Sequence, residues 1–418
     1  MKNERSPAGF RFNHDFDSDI NRAGTASLKY DGRKNMFGAA EVIPLWVADM
    51  DFAAPPAVVR ALAERAAHPV YGYTVYPDSL YESLMDWLRR RHGWAVRREW
   101  IVMSPGVVPS LHAAVMAFAE PGEAVIVQPP VYYPFFSAVT STGRQPVYNP
   151  LRLTNRRYGI DFDHLERCAA GARLLLLCSP HNPVGRVWSK QELECILRIA
   201  RKHDIVIFSD EIHAALVYPG NEHLTLSMLS RTLAESRPDI VTAVAPSKTF
   251  NIPGLNLSAL VVPNPECRRA LIQAFEAMHV SASNPFSIVA FEAAYREGEA
   301  WLDELLIYLR QTRDYVAEYL ATHLREIRLI EPEGTYLLWL DCRALKVGLG
   351  MNDAQLRHFF VHEAGVGMSP GTLFGEAGSG FMRMNIGAPR HIIQAALENI
   401  RKARVTQGTA RSTSSTGS

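Results

Sequence analysis

Two kinds of hydrophobic pattern alternate along this chain from residue 100 onward. Short runs are apolar at nearly every position: Trp100–Met103, Ala124–Gln128, Arg173–Cys178, Ile205–Ser209, Ile240–Ala245 and Leu257–Val262. Runs of this length with no polar alternation read as strands buried on both faces. Between them the apolar positions recur at helical spacing, in Val107–Ala119, Tyr132–Thr142 and Ser189–His203. Ser189 stands three residues before Glu192, a capping box that opens the last of these helices. Strands alternating with helices imply a mostly parallel sheet covered by helices on both faces.

The flanks differ. Helical spacing predicts Ala57–Ala67, Asp78–His92, Pro265–His279 and Pro285–Arg296 as helices. Glu299–Leu324 is a long amphipathic helix suited to joining two domains. A smaller α+β set follows: strands Arg328–Ile330, Tyr336–Asp341, Val366–Met368 and Phe381–Asn385, with helices Asp353–Glu363 and Ile392–Lys402. Residues 1–45 are irregular and suggest an arm or part of the smaller domain. Trp46–Phe52 is a short extended stretch closed by Pro55-Pro56. The expected division is therefore an arm (1–45), a large α/β domain (46–300), a small α+β domain (301–404) and a disordered Gly/Ser/Thr-rich tail (405–418).

Composition narrows the possible partners. A formal net charge of +1 over 418 residues argues against a polyanionic partner. No helix-turn-helix or zinc-finger spacing supports nucleic-acid binding. The five cysteines (168, 178, 195, 267 and 342) lie far apart with no C-x-x-C. They read as reduced thiols of a cytoplasmic protein, with no disulfide framework and no metal site. The polar start Met1–Arg5 lacks the apolar core of a signal peptide, and no run of about 18 apolar residues predicts a membrane span.

In an open α/β sheet, ligands bind beyond the carboxyl ends of the strands. Three strand ends here carry chemistry. Leu174–Cys178 runs into Ser179-Pro180-His181-Asn182-Pro183-Val184-Gly185. Ile205–Ser209 runs into Asp210-Glu211-Ile212-His213, and Ile240–Ala245 into Pro246-Ser247-Lys248. Taken singly, each has an ordinary reading: a turn for Asn182-Pro183, a helix cap for Asp210, a solvated amine for Lys248. Together, Asn, Asp and Lys at separations of 28 and 38 residues describe a site. A lysine at the end of a buried strand has its pKa lowered and its amine freed for nucleophilic attack. The turn Ser104-Pro105-Gly106 opens a helix directly after a strand, so the backbone amides of Gly106, Val107 and Val108 suit an anion. The pattern is neither a Walker loop nor G-x-G-x-x-G. Arg383, alone in the apolar strand Phe381–Asn385, needs a carboxylate, from within the protein or from a substrate.

Asn182-Pro183-x-Gly185, Asp210, Ser247-Lys248 and Arg383 together resemble the fold-type-I pyridoxal-phosphate enzymes, the aspartate aminotransferase superfamily. Trp46-Val47-Ala48-Asp49-Met50-Asp51-Phe52, Asp210-Glu211-Ile212-His213 and Ser247-Lys248-Thr249-Phe250-Asn251-Ile252-Pro253-Gly254-Leu255 are similar to the cystathionine β-lyase (MalY/PatB) group within it. The likeness spans roughly residues 15–403. It implies a large cofactor-binding α/β domain with a mostly parallel, seven-stranded-type sheet between helices, and a smaller C-terminal α+β domain.

The resemblance also implies roles. Lys248 holds pyridoxal 5'-phosphate and then takes the substrate α-proton. Asp210 pairs with the pyridine nitrogen and keeps it protonated. Asn182 bonds the ring 3-oxygen, and Tyr132 stacks on the ring, with Tyr133 as the competing choice. His213 sits near the 3-oxygen or supports Asp210. Gly106, Val107, Val108 and Ser247 take the phosphate, joined by Tyr73 from the partner subunit of a homodimer; a packed aromatic is the other reading of Tyr73. Arg383 binds the substrate α-carboxylate. One departure stands out: Asn256 occupies the position, eight residues after Lys248, where classical aminotransferases carry a phosphate-binding arginine.

The implied reaction is α,β-elimination from cystathionine, cysteine or a cysteine S-conjugate, giving pyruvate, ammonia and a thiol. An aminotransferase would use the same residues as far as α-proton removal and is the alternative. A catalytically silent regulatory binding protein is a further one, against which the intact Lys248, Asp210, Asn182 and Arg383 argue.

Overall fold

A computed structural model describes residues 12–232, 238–280 and 284–414. Its centre is a seven-stranded sheet in the order Ile101–Ser104, Ser258–Val261, Ile240–Val244, Val206–Asp210, Ala172–Cys178, Ala124–Val127, Gln145–Tyr148. Only Ser258–Val261 runs antiparallel to its neighbours; every other pairing is parallel. Successive side chains of the central strands feed opposite cores. Leu174 and Leu176 pack with Leu111, Phe135, Phe208 and Leu271 on one face. Leu175 and Leu177 pack with Leu193, Ile196 and Ile207 on the other. Burial on both sides is why these strands are apolar throughout.

The helices match the hydrophobic spacing closely. Asp78–His92, Val107–Phe118, Lys190–Lys202 and Glu299–His323 lie within a residue or two of expectation, and the Ser189–Glu192 capping box is formed. The predicted helix from Tyr132 starts instead at Pro134, in its first turn, where a proline's missing N–H is not needed. The helix predicted over Asp353–Glu363 stops at His358 and continues as a π turn, Phe359–Glu363.

The second sheet has five strands in the order Ile43–Leu45, Val366–Pro370, Phe381–Asn385, Leu337–Asp341, Arg328–Leu329. Its edge strand comes from the N-terminal segment and pairs in parallel with Val366–Pro370. Trp46–Phe52 is not a strand but a bent stretch whose backbone is held by side chains. The last helix corrects the expectation of a disordered tail from residue 405: it runs Arg390–Ser414, well past Lys402. Gln407 donates to Glu363 at 2.6 Å and Thr406 to the Lys402 carbonyl at 3.1 Å. A glycine inside a helix costs only about 1 kcal/mol, so Gly408 does not stop it. Residues 415–418 lie outside the described residues.

Among the described residues no helix is long and apolar enough to cross a membrane. No group of three or more His, Cys, Asp or Glu among them could hold a metal ion.

Candidate active site

The carboxyl ends of the parallel strands open into a cavity of about 380 Å³. Gly106, Val107, Val108, Tyr132, Asp210, Ser247, Lys248 and Asn256 line it. Asp210 is the last residue of its strand, and Lys248 sits in the single helical turn Pro246–Thr249 after the next strand. The sheet thus delivers a carboxylate and an amine to one wall from neighbouring strands.

Both groups are perturbed by burial. Desolvation pushes the Asp210 carboxyl up to about 7, against the Ile212 amide and Lys248, which both pull it down. The same desolvation brings the Lys248 amine down to about 8. Asp49 and Asp210 pull the amine back up, and Arg383 adds to the fall. Near neutral pH, Lys248 therefore has a substantial unprotonated fraction, the form that acts as nucleophile or base. The Asp210 carboxylate accepts one hydrogen bond among the described residues, at 3.3 Å from the Ile212 N–H. A buried carboxylate with so little support matches a cationic N–H placed against it.

The phosphate-suited end is built by the turn before Val107–Phe118. Gly106 has φ +147°, a backbone conformation that side-chain-bearing residues avoid. That turn points the first amides of the helix at the cavity, where they have no carbonyl four residues back. Pyridoxal phosphate fits this donor set: anion-binding amides, the Ser247 hydroxyl, a buried carboxylate and an amine all line one cavity.

Arg383, Asn182 and His213 stand beside the cavity and do not line it. Arg383 is buried. Its fork donates to Asn182 Oδ1 at 3.2 Å, the Trp46 carbonyl at 2.7 Å and Ser369 Oγ at 3.3 Å. Its Nε has no partner among the described residues. No carboxylate pairs with it among the described residues, so the internal salt-bridge reading fails. Burial lowers its pKa to about 10, which leaves it charged and ready for an anion. His213 is buried, with its Nδ1 unpartnered. Desolvation, reinforced by Lys248 and Arg383, brings it down to about 3, so the ring is neutral. It makes no hydrogen bond to Asp210 among the described residues and lies edge-on to Tyr336 at 6.2 Å between ring centres.

Tyr132 lines the cavity, whereas Tyr133, its ring centre 4.9 Å away, does not and is half exposed. Tyr73 is fully exposed, on an extended stretch with Val70, Tyr71 and Val75 also exposed, and is not part of this cavity.

Three residues without an assigned role from sequence hold the bent stretch against the site. Asn251, at φ +54°, accepts from the Met50 N–H and donates to the carbonyls of Met50 and Phe52. Asn385 donates to the carbonyls of Val47 and Asp49. Tyr336 donates to the Ala48 carbonyl, as does Lys248. Asn385 and Tyr336 lie in or beside an apolar strand, so nothing in their local pattern marks them.

Comparison with known proteins places the geometry. The family model for aminotransferases of class I and II matches residues 40–400. Cystathionine β-lyase PatB of Bacillus subtilis is 40% identical over 390 residues, 93% of this chain and 99% of that protein. Cystalysin of Treponema denticola, whose crystal structure contains pyridoxal 5'-phosphate, superposes with a TM-score of 0.89 at 37% identity, over 94% of this chain and 99% of that one. The PLP-bound C-S lyase of Staphylococcus hominis superposes with a TM-score of 0.87 at 32% identity, over 95% and 100%. With a family model matched over residues 40–400 and relatives covered almost end to end, this chain belongs to the class I and II aminotransferase family of pyridoxal-phosphate-dependent enzymes.

Proposed function

We propose that this protein is a pyridoxal-phosphate-dependent carbon–sulfur β-lyase. It cleaves cystathionine, cysteine or a cysteine S-conjugate to pyruvate, ammonia and a thiol. The observation that carries the reading is the Asp210–Lys248 cavity in a chain similar along its whole length to a cystathionine β-lyase.

The cofactor, when bound, supplies an electron sink for the charge that develops at the substrate α-carbon. Lys248 holds it through Nζ. Asp210 would keep the ring nitrogen protonated, Asn182 and His213 would serve the ring 3-oxygen, and Tyr132 would pack on the ring. The amides of Gly106, Val107 and Val108 with the Ser247 hydroxyl hold the phosphate. That set carries the work of the arginine replaced by Asn256. Arg383 takes the substrate α-carboxylate as a bidentate pair, exchanging the Trp46 carbonyl for a full charge. Once the substrate amine has displaced it, Lys248 Nζ, lowered to about 8 by burial, would accept the α-proton as the β-thiolate departs, and water would release pyruvate and ammonia.

The exposed Val70, Tyr71, Tyr73 and Val75 support a homodimer. In it Tyr73 reaches the partner's phosphate site.

The family match keeps transamination as the second reading. Incubation with cystathionine and no 2-oxo acid separates the two. Sustained release of pyruvate and thiol is the expected result; turnover only on addition of a 2-oxo acid would mean an aminotransferase.

A further inference from the structure

The stretch Trp46–Met50 has no strand partner, so its carbonyls need other donors. Side chains supply them in turn: Arg383 to Trp46, Asn385 to Val47 and Asp49, Asn251 to Met50. The Ala48 carbonyl is the one that meets Lys248. It accepts from Lys248 Nζ and from the Tyr336 hydroxyl, each at 2.9 Å. A carbonyl oxygen has two lone pairs. The phenol takes one and leaves the other for the amine, with both donors within two hydrogen-bond lengths of each other.

A second observation concerns how Tyr336 is aimed. Thr335, just before it, has φ +68°. For a β-branched residue this is a strained backbone, of a kind that persists only where the surroundings enforce it. They do so here: Thr335 N–H donates to the Leu216 carbonyl at 2.7 Å, and its hydroxyl accepts from the Leu337 N–H at 3.1 Å. The strained turn delivers a fully buried phenol to the interior beside His213. Burial, reinforced by Asp49, raises the Tyr336 pKa, so the phenol keeps its proton. It acts as a fixed donor.

We propose that Tyr336 is a positioning residue for the catalytic amine. By fixing the direction of the Ala48 carbonyl, it fixes where Lys248 Nζ rests when the amine is free to take the α-proton. The proposal builds on the assignment of Lys248 as the α-proton base.

The test is Tyr336→Phe, which keeps the ring and its packing. Four quantities are measured on the holoenzyme: melting temperature, kcat and KM for cystathionine, the kinetic isotope effect with α-deuterated substrate, and exchange of the alanine α-proton into deuterium oxide by NMR. Alanine has no β leaving group, so exchange reads proton removal alone. The expected result is exchange and kcat reduced about three- to tenfold, the worth of one neutral hydrogen bond. KM should stay within about twofold by the same reasoning, and the isotope effect on kcat should rise as proton removal becomes more rate-limiting. Wild-type exchange in the variant overturns the proposal. So does a fall in kcat with an unchanged isotope effect, the mark of a structural defect.

Thr335→Gly relaxes the turn without forbidding its conformation and should slow exchange in the same sense. If Tyr336→Phe does not fold, unchanged exchange in Thr335→Gly overturns the proposal. Lys248→Ala is the separate control. Wild-type exchange in that variant would refute the Lys248 assignment itself, independently of Tyr336.

Discussion

Replacing Asp210 by Asn should make the cofactor-free protein more stable and the enzyme nearly inactive, and the first effect has a defined pH dependence. The carboxyl titrates near 7 in the folded chain, against 3.8 as its ordinary value. The folded state therefore binds this proton more tightly than the unfolded state does. Stability from that difference is fully present below about pH 4 and is lost as pH rises through about 7. A shift of about three pH units at about 1.4 kcal/mol each corresponds to a total loss of about 4 kcal/mol. Some 2–3 kcal/mol of that falls between pH 5 and pH 8. The group is 4% exposed, so solvent screening removes little of it.

Urea denaturation of the cofactor-free wild type and Asp210→Asn at unit steps from pH 5 to pH 8 measures the difference directly. The variant should gain on the wild type with each step and level off above pH 7. Lys248 contributes a slope of opposite sign at higher pH. Its folded pKa is depressed, so the unfolded state binds that proton more tightly, and stability recovers as pH rises from about 8 toward 10.5. The two windows barely overlap, which keeps the comparison clean. Added pyridoxal phosphate should reverse the order, because the ring nitrogen gives the wild-type carboxylate a charged partner that an amide cannot match. Turnover of cystathionine in the variant should fall by about 10²-fold or more, as expected when a preorganised charge at the reacting system is removed. A stability difference that is flat from pH 5 to pH 8 would refute the claim that Asp210 is a desolvated carboxylate held for a cationic partner.

Three further outcomes follow from the same geometry. Arg383→Lys should raise KM for cystathionine about 10- to 100-fold in steady-state assays, because a lysine cannot bind a carboxylate as a fork. Asn251→Ala should lower stability in urea melts by about 3 kcal/mol, from its lost bonds to Met50 and Phe52 together with the left-handed backbone. Asn251→Gly should recover about 1 kcal/mol of that, since glycine tolerates the conformation. Tyr73→Phe should weaken pyridoxal phosphate binding about fivefold, read by equilibrium dialysis, and leave the melting curve of cofactor-free protein unchanged because phenylalanine keeps the ring.

The parts of this fold that could be read from sequence are those where one physical demand acts on every residue of a segment. Leu174 to Leu177 face two cores by turns, so each position is apolar and the strand is unmistakable. The edge strand Gln145–Tyr148 is buried on neither face and contains Pro146. It carries no such signature, and neither does the hairpin Arg152–Thr154 with Arg157–Gly159. The site divides on the same line. Lys248, Asp210 and Asn182 stand at strand ends, where a polar residue breaks an apolar run. Tyr336, Asn385 and Asn251 act by satisfying the backbone of a distant stretch, 200 or more positions earlier for Asn251 and nearly 290 for Tyr336. A tyrosine before an apolar strand looks like core until the carbonyl it meets is known, and that carbonyl depends on how two distant segments close on each other. Residues that touch the chemistry are therefore constrained by local pattern. Residues that aim them are constrained only by tertiary geometry, and in this enzyme they converge on the carbonyls of Trp46 to Met50.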